Sequence, residues 1–569
     1  MLELRHFSPE HIVTSHRLAV QRPWQSIQAE LGIQPPVFDQ GLFGAQLERQ
    51  AAEIPGAVAL KYLEREFTFS AFNAEASRLA NALDELVEPG DVVGLHMPNI
   101  PQFCFALAAA CKLGATVTGV SPLLTSTEIA HQISDARIKV LISLTDLAPS
   151  LTGIQKVPEC LTDIVFTGPL DYVDGSVIEA PEIIGVNTLT YRELVGDHSP
   201  VFHQRIVDPA QTFVIQYTGG TTGPPKGAEI SHYGINAGIQ MFNASAPPPV
   251  PGKEVFGSAF PLFHIAGLTL ILTCVQSGAT CFLFPNARDT DAICAAFKKT
   301  PPTRLFAVPA LYEMLLANSA FRDLKFENLL LAISGAAPLS STTFAALESV
   351  LGAGKISEAY GMTETGGTTS NNPPTRAKPG SVGMPMPGSS VLIMDAETGE
   401  GPLPSGEVGE LWVSGPHIMK GYLGRPDATA DALKSFAGET WMRTGDVGYM
   451  DDEGYIYISD RAKDMLIVGG YKVFSVEVED KLCKLPEIRS CAIVGAPDPR
   501  RPGNDIVNLF VEASEQGAAR GGDALMAKIL TFCQENMAAY KIPKAIHFVD
   551  TIPLTAVGKI DKKQLRSKL

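Results

Sequence analysis

Short apolar runs alternate with longer segments of helical period through most of the chain. Val92-Val-Gly-Leu-His96 reads as a buried strand, Gln102–Leu113 as an apolar helix stopped by Gly114, and Ala115-Thr-Val-Thr-Gly-Val120 as the next strand. The alternation continues to residue 350, and strands without a polar face belong to parallel sheets covered by helices on both sides. Upstream, Leu42 to Leu86 reads as a helix, a short strand pair (Val58-Ala-Leu-Lys-Tyr62 and Glu66-Phe-Thr-Phe69) and a second helix. Residues 1–45 read as an N-terminal extension with scattered prolines. After Pro385 the texture changes. Val391-Leu-Ile-Met-Asp395, Gly409-Glu-Leu-Trp-Val-Ser414 and Gly454-Tyr-Ile-Tyr-Ile-Ser459 are strands parted by Gly/Pro turns, as in a small β-barrel or sandwich. A compact α+β tail follows Asp460. The expected fold is therefore α/β: a large domain (46–460) of two parallel-type α/β subdomains plus a small β-barrel-like subdomain, then a small α+β domain (461–569).

The length of 569 residues fits this division, since one core stops growing well before that size. With 45 basic and 61 acidic side chains the net charge is −16, which makes nucleic acid and anionic membrane poor partners. Any anion the protein holds must be met by a few cations gathered locally. Nine cysteines without a CxxC pair read as reduced thiols of a cytosol-like compartment, not as metal ligands. The segment Val255–Ala287 carries no Asp, Glu, Lys or Arg, yet Pro261, Gly267, Gly278 and Pro285 punctuate it. A strand, a buried helix and another strand fit it better than a membrane span. Met1-Leu-Glu-Leu-Arg-His6 lacks the apolar stretch of a secretory signal, so a cytoplasmic location is expected. The ending Ser567-Lys568-Leu569 is either a peroxisomal address in a eukaryotic host or the chance end of a lysine-rich helix.

The stretch Tyr217-Thr-Gly-Gly-Thr-Thr-Gly-Pro-Pro-Lys-Gly227 follows a β-rich run and combines glycines, three threonine hydroxyls and a lysine. Glycines let backbone N–H groups turn inward around an anion, threonines add donors, and the lysine supplies a mobile positive charge. Thr218, Gly219, Gly220, Thr221, Thr222, Gly223 and Lys226 thus form a candidate triphosphate-holding loop. It is not a P-loop, in which Gly-Lys is followed by Ser or Thr opening a helix. Pro224 and Pro225 favour an extended path instead.

Six further segments follow in order: Pro261-Leu-Phe-His-Ile-Ala-Gly267, Ser334-Gly-Ala-Ala-Pro338, Glu358-Ala-Tyr-Gly-Met-Thr-Glu364, Thr444-Gly-Asp446, Asp460-Arg-Ala-Lys463 and Pro553-Leu-Thr-Ala-Val-Gly-Lys559. From residue 45 onward the chain resembles the acyl-adenylate-forming superfamily of acyl-CoA synthetases, 4-coumarate-CoA ligases, luciferases and nonribosomal adenylation domains. The resemblance implies ATP, Mg²⁺ and coenzyme A as cofactor and co-substrates, with a small carboxylic acid as partner. It also implies a monomer or homodimer without a transmembrane segment, open to peripheral membrane contact. Glu364 is implied as the Mg²⁺ ligand and catalytic with Thr363, whose hydroxyl suits a phosphate. Gly335, Ala336 and Ala337 leave room for adenine, with Glu358, Ala359, Tyr360 and Gly361 on its other side. Asp446 offers two acceptor oxygens to the ribose, with Arg461 as a second candidate. Lys559, in a Pro-x4-Gly-Lys spacing, matches the family's catalytic lysine on a mobile C-terminal domain, and Lys463 falls at its hinge. Gly469, Gly470, Tyr471 and Lys472 correspond to the segment that admits the pantetheine arm. One departure is Ile467, where coumarate ligases and luciferases often carry a lysine.

His264, Ala266, Gly267, Met241 and Ala307 are the implied acid-binding residues, with Phe242, Val308 and Met314 as further apolar candidates. The Pro261–Gly267 segment has no aspartate to pair a substrate ammonium, so a plain carboxylic acid is expected. A fatty acid of medium or longer chain is the first reading, because Ala266 and Gly267 are small, and an aryl or arylalkanoic acid is the second. Coenzyme A is the expected acceptor, since no carrier domain follows Lys559. A free-standing loader of a carrier protein, an oxygen-using luciferase and a catalytically silent ATP- and acid-binding regulator remain the alternatives.

Overall fold

The computed structural model describes residues 22–218, 225–469, 471–555 and 559–569. Two large sheets form the body. One has nine strands, in which the run Ile356–Met362, Leu331–Gly335, Arg304–Ala307, Val255–Ser258, Thr280–Leu283, Val58–Tyr62 is parallel. The other has eight strands, with Thr212–Thr218, Thr116–Gly119, Val92–His96, Ile138–Leu144, Asp163–Thr167 and Asn187–Thr190 parallel. Antiparallel strands close both edges of the nine-stranded sheet and one edge of the eight-stranded sheet. Every residue of Val92–His96 is buried, as is every residue of the helix Pro101–Leu113, which Gly114 ends at a φ of +79°. One apolar core runs from Val93 and Leu95 of the eight-stranded sheet, through Leu107, to Leu60 and Phe256 of the nine-stranded one. The segment without charges resolves into a strand, the 13-residue helix Ile265–Ser277 and a strand. Among the described residues no helix is long and apolar enough to cross a membrane.

The third sheet is antiparallel and five-stranded. It branches at the 12-residue strand Glu439–Met450, whose first part pairs with Leu433–Phe436, its middle with Gly409–Ser414 and its last part with Ile456–Arg461. Register shifts at Glu410/Trp412 and Val447/Gly448 let one long strand serve three partners. The described part of the N-terminal extension is fastened to this body. Trp24 and Ile27 pack with Met384 and Tyr455, and Gln28 Nε2 donates to the Pro385 carbonyl at 2.8 Å. The smaller C-terminal domain has its own core around Val478, Ile493, Leu509 and Ile529. There a three-stranded sheet (Ile488–Pro497, Asp505–Ala513, Ala545–Val549) packs with the helices Ser475–Leu482 and Gly522–Asn536.

Candidate active site

The site forms where the carboxyl ends of strands from both large sheets meet. Strand Thr212–Thr218 pairs antiparallel with Lys226–Ser231, and the register closes on Thr218 opposite Lys226. Gly219, Gly220, Thr221, Thr222, Gly223 and Pro224, between these two strands in the chain, lie outside the described residues. Gln216 Nε2 donates to the Phe263 carbonyl at 2.8 Å, and a Cβ on Gly119 would sit 2.6 Å from that same oxygen. The Pro261–Gly267 segment therefore lies directly against the eight-stranded sheet.

Three carboxylate-centred contacts organise the polar side. Tyr422 Oη donates to Glu364 Oε1 at 2.7 Å, and Lys226 Nζ stands over the Tyr422 ring, 5.0 Å from its centre. Tyr360 Oη donates to Asp446 Oδ2 at 2.6 Å, while Arg461 Nε donates to Asp446 Oδ1 at 3.0 Å. Glu364 and Thr363 are buried in the short turn after strand Ile356–Met362, and Asp446 is 4% exposed on the third sheet. Lys559 completes the group. Its loop is closed by Thr555 N–H donating to the Lys559 carbonyl at 2.7 Å and by the Leu554–Ile560 bridge. Burial holds the Lys559 ammonium below the usual lysine range, and the Arg461 guanidinium adds to this, while Asp446 and Glu364 pull the other way. Residues from three sheets and the small domain, Lys226, Glu364, Tyr360, Asp446, Arg461 and Lys559, are thus brought into one electrostatic neighbourhood.

The wall formed by the Gly335–Ala337 turn and strand Ile356–Met362 is made largely of backbone. Gly335 ends strand Leu331–Gly335, and a Cβ there would meet the Ala359 carbonyl at 3.1 Å. Ala336 follows with a φ of +71°, a left-handed conformation that costs a non-glycine residue roughly 1–2 kcal/mol. Ala337 is next in this turn. Gly361 is required for packing, because a Cβ would lie 2.0 Å from the Gly367 carbonyl. Glu358 is 8% exposed, and burial pushes its carboxyl up to about 7 from an ordinary 4.5, despite donation from the Gly380 and Leu339 N–H groups. The Asp480 carboxylate of the small domain, itself pushed up to about 6 by burial, adds to the shift. A raised carboxyl stabilises the fold fully below its unfolded value, and this contribution is lost as pH climbs through the folded value near 7. Glu358→Gln should therefore gain roughly 1–2 kcal/mol at pH 8 relative to pH 5, read from denaturant unfolding at both pH values. Unchanged relative stability across that window would contradict the assignment.

His264 caps the helix Ile265–Ser277, its Nδ1 accepting the Ala266 N–H at 3.3 Å. Burial pushes its pKa down to about 4, with the Lys559 charge adding to this, so the ring is neutral at physiological pH. Ala266 is half-buried at the start of this helix. Gly267 is buried, and a Cβ there would lie 2.1 Å from the Pro261 carbonyl, so this position admits no larger side chain without a backbone shift. Met314 is corrected: it is 38% exposed on the outer helix Pro309–Ala317 and lines no interior wall. Met241 is wholly buried beside Gly388, Ala307 is buried opposite Ser334, Phe242 lies 6.1 Å from Phe306, and Val308 is half-buried.

Lys463 is exposed in the tight turn after strand Ile456–Arg461, where Asp464 and Met465 N–H groups both return to the Arg461 carbonyl. The hairpin beyond it contains Gly469, at a φ of +61°, and Gly470, which lies outside the described residues. Its Lys472 pairs with Glu397 at 3.6 Å, and Tyr471 stacks on Tyr540. Ile467 donates its N–H to Asp505.

Sequence reading missed two supports. Tyr422 holds Glu364, and Asp135 accepts both Tyr217 Oη and Arg425 Nη2 at 2.7 Å, anchoring the end of strand Thr212–Thr218.

The AMP-binding enzyme family matches residues 47–423, and the AMP-binding enzyme C-terminal domain matches residues 477–559. A long-chain-fatty-acid–CoA ligase of Bacillus subtilis (strain 168) is 32% identical over 541 residues, covering 91% of this chain and 93% of that one. A feruloyl-CoA synthase of an Amycolatopsis species is 31% identical over 540 residues, covering 93% and 99%. The crystal structure of the anthranilate CoA ligase AuaEII in complex with anthranoyl-AMP superposes with a TM-score of 0.82 at 28% identity, covering 94% of this chain and 98% of that one. ATP-bound MatB from Rhodopseudomonas palustris gives a TM-score of 0.80 at 26% identity, with coverage of 92% and 98%. The chain belongs to the AMP-binding enzyme family, as an acyl-CoA synthetase-like member of the acyl-adenylate-forming superfamily and an AMP-forming acid–CoA ligase.

Proposed function

We propose that the protein activates a fatty acid of medium or longer chain with MgATP and passes the acyl group to coenzyme A. In the first half-reaction a carboxylate oxygen attacks the α-phosphate, the α–β anhydride bond breaks, and pyrophosphate leaves. In the second, the CoA thiol sulfur attacks the acyl carbon, loses its proton to solvent, and AMP leaves. The observation that carries this reading is the meeting of Lys559 with Glu364, Asp446 and Arg461 in one half-buried cluster. Lys559 offsets the repulsion between carboxylate and phosphate, and Asp446 holds the ribose once Tyr360 and Arg461 yield to it. No general base is needed, because the acid is already ionised near neutral pH, which suits a His264 held neutral.

Among the described residues no group of three or more His, Cys, Asp or Glu forms a metal cage. Glu364 offers a single carboxylate with Oε1 shared with Tyr422. That donor set fits Mg²⁺, which is held by one or two carboxylates together with substrate phosphates and waters. Bound there, Mg²⁺ would neutralise phosphate charge. Lys463 serves as the hinge about which the small domain, residues 461–569, turns. That rotation withdraws Lys559 and brings the Gly469–Lys472 hairpin to the acyl-adenylate.

The fatty-acid assignment is supported by the long-chain ligase relatives and by the small Ala266. The feruloyl-CoA synthase relative supports the aryl reading. The deciding experiment is acid-dependent ATP–pyrophosphate exchange over a panel of fatty and aryl acids, repeated for AMP release with and without CoA. Exchange with fatty acids and CoA-driven turnover are expected. Silence with every acid, or exchange without CoA-driven turnover, would refute a CoA ligase. Because a side chain at Gly267 would collide with the Pro261 carbonyl, chain-length selection is tested at Ala266. Ala266→Phe should shift the preferred acid shorter by several carbons while leaving ATP affinity near normal. An unchanged profile would place the tunnel elsewhere.

A further inference from the structure

The small domain holds a pair of thiols that the ligase chemistry does not use. Cys483 follows the helix Ser475–Leu482 and Cys491 lies on strand Ile488–Pro497, and their sulfurs approach to 3.6 Å. The two differ sharply in access: Cys483 is exposed, Cys491 is 2% exposed, and every other cysteine of the chain is buried or half-buried. Cys491 Sγ also donates to the Glu479 carbonyl at 3.7 Å, which keeps it turned toward the end of the helix. The hydrogen bond from Cys491 draws the Cys483 thiol below its usual range, against burial and the Glu479 and Asp480 carboxylates, and the same contact with burial drives Cys491 up. An accessible, thiolate-prone sulfur touching a shielded partner is the arrangement of a peroxidatic and a resolving cysteine.

We propose that Cys483 and Cys491 form a reversible disulfide site whose oxidant is a hydroperoxide. The Cys483 thiolate attacks the distal peroxide oxygen. An S–O bond forms, the O–O bond breaks, and the departing oxygen takes a proton to leave as water or an alcohol. The Cys491 sulfur then attacks Cys483 sulfur and loses its proton, while the S–O bond breaks and hydroxide leaves as water. Two thiols have given up two electrons, and one O–O bond has been reduced. The sulfurs must close by about 1.5 Å to reach disulfide length. Cys483 lies just past the last helical residue, where side-chain rotation and a small backbone shift can supply that movement.

The test uses the full chain, treated with stoichiometric hydrogen peroxide and mapped by mass spectrometry without reductant. The expected product has lost two hydrogens, links the Cys483 and Cys491 peptides, and reverts with dithiothreitol. Cys491→Ala should leave a sulfenic acid on Cys483 that dimedone traps, and Cys483→Ala should show neither the link nor a trapped Cys491. Free thiols at both positions after treatment would overturn the proposal. So would sulfinic acid on Cys483 without a link, or a link to another cysteine. The map of the unaltered chain decides these outcomes even if Cys491→Ala does not fold.

Discussion

Replacing Lys559 by alanine is expected to lower acid-dependent ATP–pyrophosphate exchange by about 10²–10³-fold, the loss typical of removing one preorganised charge from a polar transition state. The expectation rests on where the ammonium sits. Its backbone is held by the Thr555 N–H donating to the Lys559 carbonyl and by the adjacent Leu554–Ile560 bridge. Partial burial strengthens its field; burial, Arg461 and Lys463 push its pKa down, while Asp446 and Glu364 oppose that shift. Thioester formation from supplied acyl-AMP should fall far less, because that half-reaction has no carboxylate–phosphate repulsion to offset. Measuring both half-reactions in one preparation separates this from a folding defect. Equal loss in both would contradict a lysine that acts only in adenylation. Lys559→Arg should not rescue, since a planar guanidinium does not replace a compact ammonium that must reach two oxygens at once.

Much of this site was legible in the chain, and the reasons differ by segment. Val92–His96 and Leu331–Gly335 announce themselves because a parallel strand buried on both faces has no polar side to confuse its pattern. That a strand (Lys226–Ser231) and not a helix follows residues 224–225 was readable, because the two prolines exclude a helix start. Why position 267 is glycine was not legible: the Pro261 carbonyl, 2.1 Å from where a Cβ would sit, leaves no space for a side chain. Met314 misled because apolar character says nothing about which face of a helix a residue occupies, and this one faces outward. Tyr422 left almost no trace, since its role depends on strand Gly421–Tyr422 pairing with Ala228 and Glu229, a register that joins residues nearly two hundred positions apart. The N-terminal extension reads as irregular in sequence, yet Trp24 is buried at 3% exposure by partners that lie far along the chain.

Glu364→Gln is expected to lower adenylation by about 10²–10³-fold and to raise the Mg²⁺ concentration needed for half-maximal exchange. Glutamine keeps the size of the side chain, and its carbonyl oxygen can still accept from Tyr422, so the local packing and the 2.7 Å contact survive. What is lost is the negative charge. A Mg²⁺ ion with one protein carboxylate depends on that charge more than an ion in a full cage does, and the described residues supply no such cage. The same substitution removes a counter-charge from Lys559 and from the Lys226 that stands over Tyr422, so phosphate binding should not weaken and can even tighten in the absence of metal. Tyr422→Phe provides the contrast, because it keeps the charge and removes the hydrogen bond that orients it. A smaller loss of about tenfold is expected there, a hydrogen bond to a charged group being worth roughly 1.5–3 kcal/mol before relaxation. If Glu364→Gln showed an unaltered Mg²⁺ dependence, the carboxylate would be a structural partner of Tyr422, and the metal would be held by ATP alone.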